Sequence, residues 1–150
     1  MINLLRTDFQ NQDFIALVRL LDADLRVRDG DQHAFYSQFN QIDNIRHVLV
    51  AYEADQPVGC GALKAYAPGI LEIKRMFVLP EHRGKGIATQ ILQALEHWAL
   101  ELSCPKCVLE TGKNQPEAIA LYYKNEYRRI PNYGQYAEAE DSLCFEKILR

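Results

Sequence analysis

Val78-Leu79-Pro80-Glu81-His82-Arg83-Gly84-Lys85-Gly86-Ile87-Ala88 runs from the end of an apolar strand, past the proline that stops it, into an amphipathic helix. Pro80 has no N–H to give to a ladder. Beyond it Ile87, Ile91, Leu92, Leu95, Trp98, Ala99 and Leu102 recur on one stripe, so the spacing predicts a helix over Gly84 to Leu102. Unsatisfied N–H groups and the positive end of the dipole make a helix N-terminus an anion site. Gly84 and Gly86 would let the backbone approach a diphosphate, and Arg83 and Lys85 add positive charge. Between Glu72 and Lys85 four basic residues (Lys74, Arg75, Arg83, Lys85) face two acidic ones (Glu72, Glu81), a local charge of +2. The bland alternative is a glycine-rich loop that only turns the chain.

Two other phosphate loops fit badly. The Walker pattern needs Gly-Lys-Ser/Thr, but Gly84-Lys85 is followed by Gly86, and Gly112-Lys113 by Asn114. The dinucleotide fingerprint would want a third glycine at position 89, which is Thr, and its strand should open the fold.

Outward from this stretch, the N-terminal side reads as a strand over Ile2 to Arg6 and then a helix carrying Phe14, Leu17, Val18, Leu21 and Leu25, ending near Gly30. Asp31 to Asn40, with His33, Phe35, Tyr36 and Phe39, reads as a short second helix. His47 to Glu53 and Val58 to Tyr66 form a hairpin, and Ile70 to Leu79 is a strand whose alternation breaks near Lys74 and Arg75, as a bulge would cause. On the C-terminal side come a strand from Lys106 to Glu110, a helix from Glu117 to Asn125 and a strand from Ser142 to Leu149. The order βα(α)βββαβαβ(β) predicts mixed α and β, hairpins first and a strand-helix-strand crossover later.

The chain has 150 residues, 48% of them hydrophobic, with neither repeats nor linkers, so one domain over 1–150 is expected. Its formal charge of −3 excludes a broad polyanion-binding surface, which argues against nucleic acid and against anionic membranes as partners. No span of ~20 apolar residues and no signal-like N-terminus is found, and a cytoplasmic location is expected. Cys60, Cys104, Cys107 and Cys144 read as reduced thiols. Cys104-Pro105-Lys106-Cys107 lacks the second ligand pair a zinc site needs and precedes a strand, where a thioredoxin-like pair opens a helix. No metal is expected.

Arg83-Gly84-Lys85-Gly86-Ile87-Ala88 resembles the Arg/Gln-x-x-Gly-x-Gly/Ala signature of the GNAT superfamily of acetyl-CoA-dependent N-acetyltransferases. A second block agrees: Ala118, Ile119, Leu121, Tyr122, Lys124 and Tyr127 fall where that family has Asn-x-x-Ala-Ile-x-Leu-Tyr-x-Lys-x-Gly-Phe/Tyr. The family's Asn falls on Gln115, with Asn114 one position earlier, and its Gly falls on Glu126. Asn125 is an alternative residue for the left-handed cap there.

The resemblance implies an acyl-CoA N-acyltransferase fold: a central, mixed but mostly antiparallel sheet of six to seven strands flanked by about four helices. It also implies acetyl-CoA as acyl donor, its diphosphate on the N–H groups of Arg83, Gly84, Lys85, Gly86, Ile87 and Ala88, and its pantetheine along Phe77 and Val78. Asn114 or Gln115 would meet it from the other side. A protonated amine acceptor must lose a proton before attack, so a base is needed. Glu72 is the first candidate and Glu110 the second, each against the alternative of an ordinary solvated or paired carboxylate on a sheet. Tyr122 matches the family's acid for the leaving thiolate, its alternative being a core aromatic; Tyr123 should face about 100° away. The resemblance further implies that Asp29, His33, Tyr36, Tyr133 and Tyr136 wall the acceptor, a small-molecule or peptide amine, the alternative being that His33, Phe35 and Tyr36 merely cap the sheet. A homodimer paired through the C-terminal strands is a further expectation. The rival from another class is a noncatalytic acyl-CoA-binding module, against which Glu72 and Tyr122 weigh.

Overall fold

Strand β2, His47–Glu53, carries apolar residues at consecutive positions because both of its faces are covered. Val48 and Val50 pack on one side against Phe14, Leu17, Val18 and Leu21 of helix α1 (Gln12–Asp29). Leu49 and Ala51 pack on the other against Ile87, Ile91, Leu92 and Leu95 of helix α2 (Ile87–Glu101). This two-sided core, described over residues 1–30 and 44–150 by a computed structural model, is built on one seven-stranded sheet of order β1-β2-β3-β4-β5-β7-β6. The remaining strands are β1 (Ile2–Thr7), β3 (Gln56–Ala67), β4 (Ile70–Val78), β5 (Lys106–Gly112), β6 (Arg128–Ile130) and β7 (Ser142–Ile148). Helix α3, Pro116–Lys124, connects β5 to β6. The predicted mixed sheet is present, with three α-helices among the described residues; the helix expected over residues 31–40 lies outside them. None of the described helices is long and apolar enough to cross a membrane.

Every pair of neighbouring strands is antiparallel except β4 and β5. Gly61 of β3 permits the close seating of α2, since a Cβ there would lie 2.9 Å from Ile91 and Leu95 side-chain carbons and 2.7 Å from Met76 sulfur. The break in alternation expected near Lys74 and Arg75 is a bulge. Cys60 pairs with Phe77 while Ala62 pairs with Lys74, and Arg75 takes a φ of 60°. Strict period two would place Phe77 with Leu71 and Ile73; the extra residue moves it to the α1 face, where it joins the core beside Phe14.

Two local expectations are corrected. The helix begins at Ile87 and not at Gly84, because Gly84 and Gly86 both have φ of 80°, outside the right-handed helical region. The left-handed residue after α3 is Glu126 (φ 71°), not Asn125 (φ −94°). Its N–H and that of Tyr127 close the helix by donating to the Tyr123 and Tyr122 carbonyls, so the turn accepts the strain of a non-glycine residue. Glu126→Gly is expected to raise stability by roughly 0.5 to 1 kcal/mol, a Tm gain of about 2 °C. A thermal melt checks it, and an unchanged or lower Tm would show that the side chain, and not the backbone, sets the preference.

Candidate active site

β4 and β5 pair only through Ile70–Lys106, Leu71–Cys107 and Glu72–Val108, then part. A parallel pair that separates leaves unpaired backbone on both edges, and here the gap opens a cleft of about 480 Å³. Its walls come from both sides of the sheet: Ile87, Ala88, Leu121 and Tyr122 on one, Leu21, Leu25, Asp29, Glu72 and Glu110 on the other.

At one end of the cleft stands the Gly84–Ala88 loop. The N–H groups of Gly84 through Ala88 have no acceptor in the surrounding backbone among the described residues. The first turn of α2 carries neither a side-chain cap nor an acidic residue. A helix start left bare in this way leaves N–H groups that an external acceptor can take. The expected donor set loses its first member, because the Arg83 N–H donates to Pro80 O at 3.3 Å. Arg83 itself folds back, its Nε donating to Val78 O at 2.9 Å and its guanidinium 5.6 Å from the centre of the Phe77 ring. Phe77 and Val78 do line the cleft; Lys85 is exposed and does not.

The local charge of +2 also divides. Arg75 is buried with Nη1 3.2 Å from Asp22 Oδ1 on α1, and Lys74 points into an acidic cluster, so only Arg83 and Lys85 remain near the loop. The predicted basic patch is therefore smaller than the sequence count.

At the other end, period two along β4 and β5 brings Glu72, Lys74 and Glu110 to the α1 face, opposite Ile73 and Leu109 in the α2 core. Glu72 is buried and accepts the Tyr133 hydroxyl at 2.6 Å, with Lys74 Nζ 4.0 Å from its other oxygen. Burial lowers the Lys74 ammonium pKa, partly opposed by Glu72. Glu110 accepts the Ser142 hydroxyl at 2.7 Å. Burial pushes its carboxyl up to about 7, with Asp29 and Glu72 adding in the same direction and Ser142 and Lys74 opposing. A carboxyl poised near neutrality exchanges a proton readily at physiological pH.

Tyr122 is 5% exposed and Tyr123 53%, the expected divergence of neighbours on a helix. Burial, reinforced by Glu110, holds the Tyr122 phenol above its ordinary pKa, so it keeps its proton at the cleft wall. Its ring is 5.8 Å from Tyr127 and 6.0 Å from Phe145.

Of the two amides, Gln115 lines the cleft, whereas Asn114 donates to Arg28 O at 3.3 Å and does not. Arg28 also pairs with Asp24 at 3.1 Å and with Glu117, tying the last turn of α1 to the first turn of α3. Asp29 and Tyr136 line the cleft; Tyr133 stands behind Glu72; His33 and Tyr36 lie outside the described residues. Ser142 is the site residue that sequence reasoning missed, and only the sheet register, which no local pattern announces, brings it to Glu110. Buried Cys60 and Cys107 have thiols pushed up to about 12, and Cys144 to about 11, so each stays protonated and is a poor nucleophile.

Residues 14–127 match the model of the Acetyltransferase (GNAT) family. An IAA acetyltransferase of Azospirillum brasilense is 38% identical over 102 residues, 67% of each chain. YjgM, an uncharacterized N-acetyltransferase of Escherichia coli K12, is 36% identical over 104 residues, 67% of this chain and 61% of that one. A crystal structure described as an acyl-CoA N-acyltransferase, from Klebsiella pneumoniae, superposes with a TM-score of 0.85 at 31% identity, covering 100% of this chain and 99% of that one. The PaiA N-acetyltransferase of Thermoplasma acidophilum, solved in complex with coenzyme A, shares the fold with a TM-score of 0.73 at 17% identity over 99% of both chains.

Proposed function

Because this chain belongs to the GNAT family and is an acetyl-CoA-dependent N-acetyltransferase, we propose that acetyl transfer takes place in the gap between β4 and β5, with Glu110 as base and Tyr122 as acid. When bound, acetyl-CoA supplies the acetyl thioester and carries off the sulfur as leaving group. The residues of the cleft fit it: Gly84 through Ala88 offer unsatisfied N–H groups for the diphosphate, and Gln115 lines the same cleft at the start of α3. The unpaired edge of β4 offers backbone groups to the pantetheine arm near Phe77 and Val78, and an N–H there would stabilise developing negative charge on the carbonyl oxygen.

The acceptor is a primary amine of a small molecule or peptide. It approaches from the α1 face, between Asp29, Glu72, Glu110 and Tyr136. Glu110 takes the amine proton on its carboxylate, and Tyr122 Oη delivers one to the departing sulfur from across the gap. Glu72, held by Tyr133 and beside Lys74, is suited to orient a cationic acceptor. The observation that carries this reading is geometric: Glu110 and Tyr122 line the one cleft that opens where β4 and β5 part. Incubation with acetyl-CoA and a panel of primary amines should release free thiol only when an acceptor is present, with acetylated amine detected by mass spectrometry. Tight acetyl-CoA binding without release for any amine would overturn it.

A further inference from the structure

We infer that Ser142 is a positioning residue for this reaction: its hydroxyl fixes Glu110 Oε2 and leaves Glu110 Oε1 as the oxygen that takes the acceptor's proton. The inference rests on the reading of Glu110 as base.

The sheet register supplies the geometry. Glu110 stands opposite Cys144 and Gly112 opposite Ser142, so Ser142 is the diagonal neighbour of Glu110 on the same face. Gly112 has no side chain to occupy the space across from Ser142, and the glutamate reaches the hydroxyl at 2.7 Å. Ser142 is itself held from both sides. Its N–H donates to Ala139 O at 3.1 Å, and its carbonyl accepts the Asn132 side-chain amide at 3.0 Å. A serine hydroxyl donates to a carboxylate and accepts from a carboxylic acid by rotating. The contact therefore survives both halves of a proton cycle, which a purely donating neighbour would oppose in one.

The other groups facing Glu110 among the described residues are Lys74 and Glu72 on β4, Asp29 on α1, Tyr122 on α3, Tyr136 in the connection before β7 and Cys144, directly opposite on β7. Of these the Lys74 ammonium favours the carboxylate, and Asp29 and Glu72 disfavour it. Ser142 is the partner in direct hydrogen-bond contact, so its removal both frees the carboxyl to rotate and makes it harder to ionise.

The test compares kcat/KM against pH for wild type, Ser142→Ala and Ser142→Cys, whose thiol is a weak donor of similar size. The variant-to-wild-type ratio is read, so that ionisation of the acceptor cancels. An upward move of the inflection by about one pH unit is expected. This gives a roughly five-fold loss at pH 7, where the ionised fraction drops from about half to about a tenth, and recovery to within about two-fold at pH 9. Acetyl-CoA affinity should be unchanged in the same variants. A ratio that is flat with pH, or a wild-type profile, in both variants would overturn the role; should Ser142→Ala fold poorly, Ser142→Cys alone decides. Glu110→Gln measured alongside separates the two ideas: if it keeps the wild-type inflection, the base assignment has failed, whereas if it loses the inflection and the Ser142 variants do not move it, only the positioning role has failed.

Discussion

Glu110→Gln is expected to lower kcat by about 10²- to 10⁴-fold at pH 7.5 and to abolish the rise of kcat/KM through pH 7, while acetyl-CoA binds as in wild type. The sign follows from the environment of the carboxyl: burial raises it to about 7, so below that pH the base is protonated and idle, and above it the carboxylate is available. Gln has the same shape, and its side-chain oxygen still accepts the Ser142 hydroxyl, so loss of activity would not be loss of fold. Since an ionised carboxylate in this buried setting is costly, the variant's Tm should equal or exceed that of wild type above pH 7. Glu72→Gln is the informative contrast. It keeps an acceptor for the Tyr133 hydroxyl, and it should weaken the acceptor's KM while leaving the pH 7 inflection in place. Disappearance of the inflection in Glu72→Gln and its persistence in Glu110→Gln would transfer the role to Glu72.

Tyr122→Phe should cost about 10²-fold in kcat through loss of one proton donor, with the affinity for acetyl-CoA within about two-fold of wild type. The ring packs 5.8 Å from Tyr127 and 6.0 Å from Phe145, and Phe preserves those contacts, so the core of α3 against the sheet remains. The pH 7 inflection should also persist, because the base is untouched. Removal of the Tyr122 hydroxyl takes away a partly desolvated dipole near Glu110, but the groups that dominate the carboxyl remain in place. Steady-state kinetics over pH 6 to 9 reads both features. Wild-type kcat in Tyr122→Phe would return Tyr122 to the role of a core aromatic.

Where local physics decides, the sequence was read correctly. Pro80 ends β4, the 3.6 period marks α1 and α2, and the irregularity at Lys74 and Arg75 is a bulge whose φ of 60° shifts Phe77 across the sheet. The loop before α2 was legible because glycines and a bare helix start leave a local signature. The boundary at Gly84 was misplaced for the same reason: the glycines serve positive φ in the loop, not the first turn of the helix. The site's far end was legible only in part. Both carboxylates and Tyr122 reach the cleft, yet their ranking depends on how deeply each is buried and what touches it, and these are products of register across β4, β5 and β7. Ser142 meets Glu110 across 32 positions of sequence, and Tyr133 meets Glu72 across 61, so no windowed pattern contains either pair. Arg75 and Lys74 illustrate the same limit, since a charge count along the chain assigns them to the phosphate loop while the strand carries them to Asp22 and to the acidic cluster.

The acetyl group is expected to pass directly to the amine with no acyl group resting on the protein, and buried thiols held protonated at about 11 to 12 support this. Rapid-quench measurement of free thiol after mixing the enzyme with acetyl-CoA, with and without an amine acceptor, tests it most directly. Direct transfer gives no release without the amine and continuous release with it. Release of one equivalent of thiol per enzyme in the absence of amine would contradict it.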